Sequence, residues 1–251
     1  MIRYAVLGLV QGLTEFLPIS SSGHLVLAQK ILGVDPPGLA VEAAAHLGTL
    51  LALLLAFRHD LARLARGPWE GKGWREVGLL ALATFPLVVL GPILHNSVEE
   101  AFGSCKAVGV GLLVTAGTLA LGQLKVGRAR GESVGWGQAL GVGLAQVASL
   151  FPGISRSGVT VCAGLVLGVR SPEAARFAFL VGIPAIAGAS GFALAQTSWP
   201  GPEQAFALVL VAATAFLSGS LAIRLFLEVA RRGYLWPFAV YCLILGLLVM
   251  L

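Results

Sequence analysis

Two long apolar stretches of this chain, residues 1–33 and 136–168, are each broken in the middle by a polar island rich in Pro, Ser and Gly. The first island runs Gln11-Gly12-Leu13-Thr14-Glu15-Phe16-Leu17-Pro18-Ile19-Ser20-Ser21-Ser22-Gly23-His24, and the second runs Phe151-Pro152-Gly153-Ile154-Ser155-Arg156-Ser157-Gly158. Broken backbone inside a bilayer leaves N–H and C=O groups that lipid cannot satisfy, so it is tolerated only where protein buries it or a wet cavity faces it. Each stretch is therefore expected to be a re-entrant helix–loop–helix hairpin, entering and leaving on one side. Six further stretches approach the roughly 20 apolar residues that span a bilayer core: 39–57, 77–95, 103–124, 173–195, 203–227 and 234–251. The 251 residues are 57% hydrophobic and 12% charged, with a mean hydropathy of +0.88, where a soluble domain carries roughly 25% charged residues. The expected fold class is an all-α polytopic membrane protein: six transmembrane helices plus two re-entrant hairpins, in a single membrane domain over 1–251.

Lys and Arg placement gives the orientation. Arg58, Arg63, Arg66, Lys72 and Arg75 fill the first long loop, and Lys125, Arg128 and Arg130 a second. Arg170 and Arg176 flank the fourth span, and Arg224, Arg231 and Arg232 precede the sixth. With six spans all thirteen fall on one side, which reads as cytoplasmic. The other side holds Arg3, Lys30 and Lys106 beside Asp35, Glu99, Glu100 and Glu203. The first hairpin then enters from outside and the second from inside. The net charge of +5 is thus topological, and no nucleic-acid partner is expected. The stretch from Arg58 to Arg75, with Trp69 and Trp74, reads as an interfacial amphipathic segment facing anionic headgroups. Cys105, Cys162 and Cys242 sit singly in apolar runs and read as small buried hydrophobes. No basic n-region or small-residue cleavage site opens the chain, so no removed signal peptide is expected.

The two islands also align. At an offset of 135 residues Gly8/Gly143, Gln11/Gln146, Phe16/Phe151, Ile19/Ile154, Ser20/Ser155, Ser22/Ser157, Gly23/Gly158 and Pro37/Pro172 are identical pairs. This predicts two repeats, about 1–124 and about 136–251, each one hairpin plus three spans. An odd number of spans makes the copies inverted, an architecture shared with secondary transporters.

Where the islands differ, chemistry enters. Ser21 aligns with Arg156, Glu15 with Leu150 and His24 with Val159. Ionisable groups inside apolar segments are costly and mark functional sites by default. Arg156 offers a guanidinium fork suited to phosphate oxygens, with Ser155, Ser157 and Thr160 beside it; the alternative is an ion pair with Glu15 or Glu42. His24 with Ser20, Ser21 and Ser22 allows a nucleophile and its activating base, or a His nucleophile with Ser as phosphate ligand. Serines before a helix are also common caps. Gln11 and Glu15 share a helix face and could bind a hard divalent cation together with substrate phosphates. Glu42, His46 and Thr49 either act directly or form interhelical hydrogen bonds, and His59 and His95 lie near loop ends. No Gly-x-x-x-x-Gly-Lys-[Ser/Thr] loop, cysteine phosphate loop or His-Glu-x-x-His motif is present, which argues against nucleotide hydrolysis and metalloproteolysis.

The chain resembles the undecaprenyl-diphosphatase family, membrane enzymes associated with bacitracin resistance. That family's [Glu/Gln]-x-x-x-Glu and Pro-x-Ser-Ser-x-Gly-His elements stand here as Gln11 to Glu15 and Pro18 to His24, and its Pro-Gly-x-Ser-Arg-Ser-x-x-Thr as Pro152 to Thr160. The resemblance implies hydrolysis of undecaprenyl diphosphate to undecaprenyl phosphate and inorganic phosphate, recycling the lipid carrier for cell-wall synthesis in the bacterial inner membrane. It implies catalytic roles for Glu15, Ser21, His24 and Arg156, and a phosphate site lined by Gln11, Ser20, Ser22, Ser155, Ser157 and Thr160. It also implies a divalent cation, Mg2+ or Ca2+, near Glu15. Position 11 is Gln where many members have Glu, so one ligand charge is lost. The expected partners are a polyprenyl diphosphate and membrane lipid; the oligomeric state is open, a homodimer among the options. In the working scheme His24 activates Ser21 or water, Arg156 holds the phosphoryl oxygens, and the site opens to the external side. The rival reading is a transporter or flippase of phosphorylated lipid carriers.

Overall fold

The computed structural model describes residues 1–33, 39–67, 73–196 and 202–251, without the side chains of Leu39 and of residues 202–204. Asp35, Pro37, Trp69, Lys72 and the Glu203 side chain lie outside what is described. The described residues form eleven helices and no named strand; one isolated bridge joins Gly131 to Val169. In chain order they are α1 (Ile2–Phe16), α2 (Ser21–Leu32), α3 (Leu39–Ala56), α4 (Arg58–Arg66), α5 (Trp74–Phe102), α6 (Cys105–Lys125), α7 (Trp136–Ala148), α8 (Arg156–Val166), α9 (Ser171–Ala195), α10 (Pro202–Arg232) and α11 (Trp236–Met250).

Both islands break helices where their chemistry requires it. Pro18 has no N–H to extend α1, and Ser20 restarts the chain as the N-cap of α2, its side chain accepting from Gly23 N at 3.3 Å. Ser155 caps α8 in the same way, accepting from Gly158 N at 3.1 Å. Aligned serines therefore make aligned caps. Ser20 has φ 71°, the sole non-glycine residue at positive φ among the described residues. Such a conformation costs of order 1–3 kcal/mol and persists where surrounding structure over-determines it.

Each of the six stretches expected to span forms a helix. Four helices, α5, α6, α9 and α10, are long and apolar enough to cross a membrane, and a fifth is reached if α3 and α4, bent by 71°, count as one. At 15 residues, α11 is shorter. Exposed Phe85, Val88 and Ile93 on α5, Leu217 and Leu221 on α10, and Ile244, Leu247 and Leu248 on α11 form an apolar exterior far beyond the few hundred Å² of a soluble monomer. The fold is that of a multi-pass membrane protein.

Because lipid offers no hydrophobic drive between helices, close packing of small residues must hold the bundle. Gly8 and Gly12 put α1 directly on α10: a Cβ at Gly8 would strike Thr214 and the Val211 carbonyl, and one at Gly12 would strike Ser218 and the Ala215 carbonyl. The register advances in the same direction on both helices, so α1 and α10 run parallel. Gly143, aligned with Gly8, similarly seats α7 on the Ala83 carbonyl of α5, while the Trp136 ring covers Gly78. Below the hairpin breaks, Phe16, Phe57, Phe179 and Phe226 are all buried and meet edge to face, centroids 5.6–5.9 Å apart. At the basic end Arg176 of α9 ties three elements together, pairing with Asp60 of α4 at 2.7 Å, Glu76 of α5 at 2.6 Å and Glu173 at 3.0 Å.

Gly12→Val should force α1 away from α10 and lower stability by about 1–3 kcal/mol. Thermal unfolding in detergent checks this; an unchanged midpoint would mean that α1 is not seated as described.

Candidate active site

The two hairpin tips meet. A Cβ on Gly23 would lie 3.1 Å from Gly153 Cα, so the tips touch backbone to backbone. Ser157 Oγ donates across the junction to Leu17 O at 3.2 Å. Gly153 takes φ 87° and presses against the Val108 carbonyl of α6, leaving no room for a side chain. Thr115, also on α6, pins the second tip: its hydroxyl donates to Gly153 O at 2.8 Å and accepts from Ser155 N at 2.9 Å. No sequence signal singled out Thr115, one hydroxyl in an apolar span.

At this junction Arg156, the first residue of α8, forms an ion pair with Glu15 through Nη2 and Oε1. Its Nη1 lies 3.4 Å from Gly182 O. The Glu15 side chain is 1% exposed and that of Arg156 21%. Of the two carboxylates that the sequence left open as partners of Arg156, it is Glu15 that pairs; Glu42 makes no such pair among the described residues. The other Glu15 oxygen, Oε2, accepts from Ser21 Oγ at 2.5 Å and from Gln11 Nε2 at 2.9 Å. The first length is that of a charge-assisted O–H···O⁻ bond. Glu15 thus gathers an amide, a hydroxyl and a guanidinium on one carboxylate.

His24 is arranged differently from expectation. Its Nδ1 lies 2.7 Å from Ser20 O and its Nε2 2.7 Å from the Tyr241 hydroxyl. Both ring nitrogens are engaged, and the hydrogen-bond partner of Ser21 is Glu15. The physical reason is local: Ser21 opens α2 facing the end of α1, while His24 lies nearly a turn further on and turns toward α11. Ser20 and Ser155 serve as caps, and each also pairs with its neighbour, Ser20 with Ser22 at 3.3 Å and Ser155 with Ser157 at 3.2 Å. Thr160 donates to Arg156 O at 2.7 Å. Glu42, His46 and Thr49 stay on α3: His46 Nδ1 bonds the Glu42 carbonyl at 2.9 Å and Thr49 the His46 carbonyl at 2.9 Å. His95 sits apart, 3.9 Å from Glu99.

A metal cage of three or more His, Cys, Asp or Glu is absent among the described residues. What the protein does offer is oxygen. Gln11 Oε1 is buried with no hydrogen-bond partner, next to the Glu15 carboxylate, and its amide cannot be reversed without facing carbonyl oxygen to carboxylate. An amide oxygen and one carboxylate suit a hard cation whose remaining ligands are substrate phosphate oxygens and water. The space beside Glu15, Arg156 and Ser157, walled by Phe16, Leu53, Phe179, Gly182 and Ile186, amounts to about 10 Å³, room for about one water.

Fold and site together define a multi-pass helical membrane protein with a buried carboxylate–hydroxyl–guanidinium centre where two broken helices touch. The chain belongs to the bacitracin resistance protein BacA family, whose model matches residues 4–248. It is 42% identical to an undecaprenyl-diphosphatase of Rubrobacter xylanophilus, over 99% of this chain and 97% of that protein. It is 41% identical to one of Korarchaeum cryptofilum, over 98% and 96%. With one of Desulforapulum autotrophicum the identity is 39%, over 97% and 95%. The family read from the two motifs is the one found.

Removing one member of the buried pair strands the other charge, at about 3–5 kcal/mol. Glu15→Gln and Arg156→Met should each lower the thermal midpoint markedly, and the double variant should lose clearly less than the sum. Strict additivity in that double-mutant cycle would mean that the two do not interact.

Proposed function

We propose that the protein hydrolyses undecaprenyl diphosphate to undecaprenyl phosphate and inorganic phosphate, acting in the bacterial inner membrane to recycle the lipid carrier of cell-wall synthesis. The observation that carries this reading is the Ser21–Glu15–Arg156 arrangement, in a chain whose relatives bear the name of that activity over nearly their full length. A hydroxyl hydrogen-bonded to a carboxylate is more than a carrier of phosphorylated lipid needs. It is what phosphoryl transfer to an activated oxygen uses.

In this scheme the Ser21 oxygen attacks the terminal phosphorus as its proton passes to Glu15. The bond from phosphorus to the bridging oxygen breaks, and its electron pair leaves with undecaprenyl phosphate. Water then attacks that phosphorus, its proton passing to His24, and the bond from phosphorus to the Ser21 oxygen breaks as Glu15 returns its proton to that oxygen, releasing inorganic phosphate. Arg156 turns its remaining donors to the phosphoryl oxygens. The first-turn N–H groups of α2 and α8 other than the capped Gly23 and Gly158, which no intrahelical carbonyl reaches, add further donors for the same anion. Such fixed donors in a low-dielectric site supply most of the stabilisation in phosphoryl transfer. A divalent cation, Mg2+ or Ca2+, would be held by Glu15 and Gln11 Oε1 with substrate oxygens, and would neutralise charge on the diphosphate. Ser20, Ser22, Ser155, Ser157 and Thr160 shape the phosphate site, the first and third by fixing the helix starts.

The same reading places six spans and two re-entrant hairpins in two inverted repeats, with the site opening to the external side. Supporting it are the helix breaks and serine caps repeated at the same offset, the paired seating of Gly8 and Gly143, and the basic side defined by Lys and Arg.

Purified protein in detergent with a long-chain polyprenyl diphosphate should release inorganic phosphate with Mg2+ or Ca2+ and not with chelator. Ser21→Ala, Glu15→Gln and Arg156→Lys should each lower kcat/KM by roughly 100-fold or more. A phosphorylated residue trapped during turnover should map to Ser21. Mapping to His24 would overturn the assignment of nucleophile, and no release from folded wild type under any cation would overturn the phosphatase.

A further inference from the structure

The seam between α2 and α11 carries a contact that the phosphoryl-transfer scheme does not use. Tyr241 lies 217 residues from His24, yet its hydroxyl is 2.7 Å from His24 Nε2. The two rings stack with centroids 5.6 Å apart and planes 11° from parallel. On the other side of the imidazole, Nδ1 is 2.7 Å from the Ser20 carbonyl. A carbonyl oxygen can only accept, so Nδ1 carries the hydrogen. In the neutral ring Nε2 is then the lone-pair nitrogen, and the phenol donates to it. The Ser20 carbonyl is itself aimed by a residue at φ 71° whose side chain caps α2. The Ser20 carbonyl thus sets the tautomer, and the Tyr241 hydroxyl, as a second anchor across the ring, sets its plane.

We propose that Tyr241 is a positioning residue of the phosphatase reaction, acting through His24: its hydroxyl anchors Nε2 and its ring stack holds the imidazole plane at the mouth of the hairpin. This rests on the phosphatase reading. The location fits a lipid substrate. Tyr241 is 43% exposed, and Ile244 and Leu248, on the same helix face, are exposed too. The Glu15–Arg156 pair is far more enclosed, its side chains 1% and 21% exposed, so in this proposal the terminal phosphate of a lipid substrate approaches Ser21 past the exposed His24–Tyr241 seam.

Tyr241→Phe keeps the ring stack and removes only the hydroxyl. In the purified, full-length protein its kcat should fall about 10-fold, the equivalent of one oriented hydrogen bond, with KM within about twofold. In ¹⁵N-histidine-labelled protein, with the resonances of His24 assigned by their loss in His24→Gln, wild type should show the Nδ1–H tautomer. Tyr241→Phe should keep that tautomer while its Nε2 resonance moves to that of a lone-pair nitrogen without a hydrogen bond. Unchanged kcat, or a fall in kcat and thermal midpoint with the Nε2 resonance unchanged, would overturn the proposal. If wild type released no phosphate, the phosphatase reading would fail and the kinetic role with it, while the Nε2 resonance would still decide whether Tyr241 anchors the ring.

Discussion

Everything at the centre of this molecule depends on one buried ion pair. Glu15 and Arg156 sit on different hairpins, 141 residues apart, and their contact, beside the Ser157–Leu17 hydrogen bond and the Gly23–Gly153 approach, fixes the relative position of the two tips. A lone charge in that environment would be untenable. The pair is tolerable because each partner is further satisfied: Glu15 by Ser21 and Gln11, Arg156 by the Gly182 carbonyl. Around it the backbone closes to glycine-on-glycine distance, which only residues without a Cβ permit. Electrostatics brings the tips together, and sterics sets how closely.

The same pair gives the site its resting form. With Arg156 paired to Glu15 and room beside them for about one water, the site is closed as it stands, and anything larger enters only as the side chains around the pair move. The carboxylate that holds Arg156 is also the one bonded to the Ser21 hydroxyl, so a shift of the pair reaches that hydroxyl directly.

Much of this was legible in the residues. The two helix breaks fall at the islands because Pro18 and the cap serines act through local backbone chemistry, which a linear sequence records directly. The helix that forms from each expected span follows from apolar composition in the same way. The convergence of Glu15, Ser21 and Arg156 was legible only as a condition, that the tips meet. Two residues were not legible. Thr115 and Tyr241 each stand in an ordinary apolar run, and their roles arise from the packing of α6 and α11 against the hairpins. Likewise, which side chain Ser21 would address depended on whether the first residue of α2 faces back along α1, a rotation that residue identities do not encode. Of the two options read for His24, activating Ser21 or water, the first would need another arrangement: here Ser21 bonds Glu15, and His24 bonds Ser20 O and Tyr241.

The edge-to-face layer of Phe16, Phe57, Phe179 and Phe226 has a consequence beyond packing. Phe16 and Phe179 wall the space beside Glu15 and Arg156, Phe57 directly precedes Arg58 at the start of α4, and every ring is buried. An ion leaving the site along those rings would have to shed its hydration among aromatic faces, at a cost far above thermal energy. The layer is thus a dry back wall: it closes one side of a hydrophilic centre that is open to exchange only elsewhere.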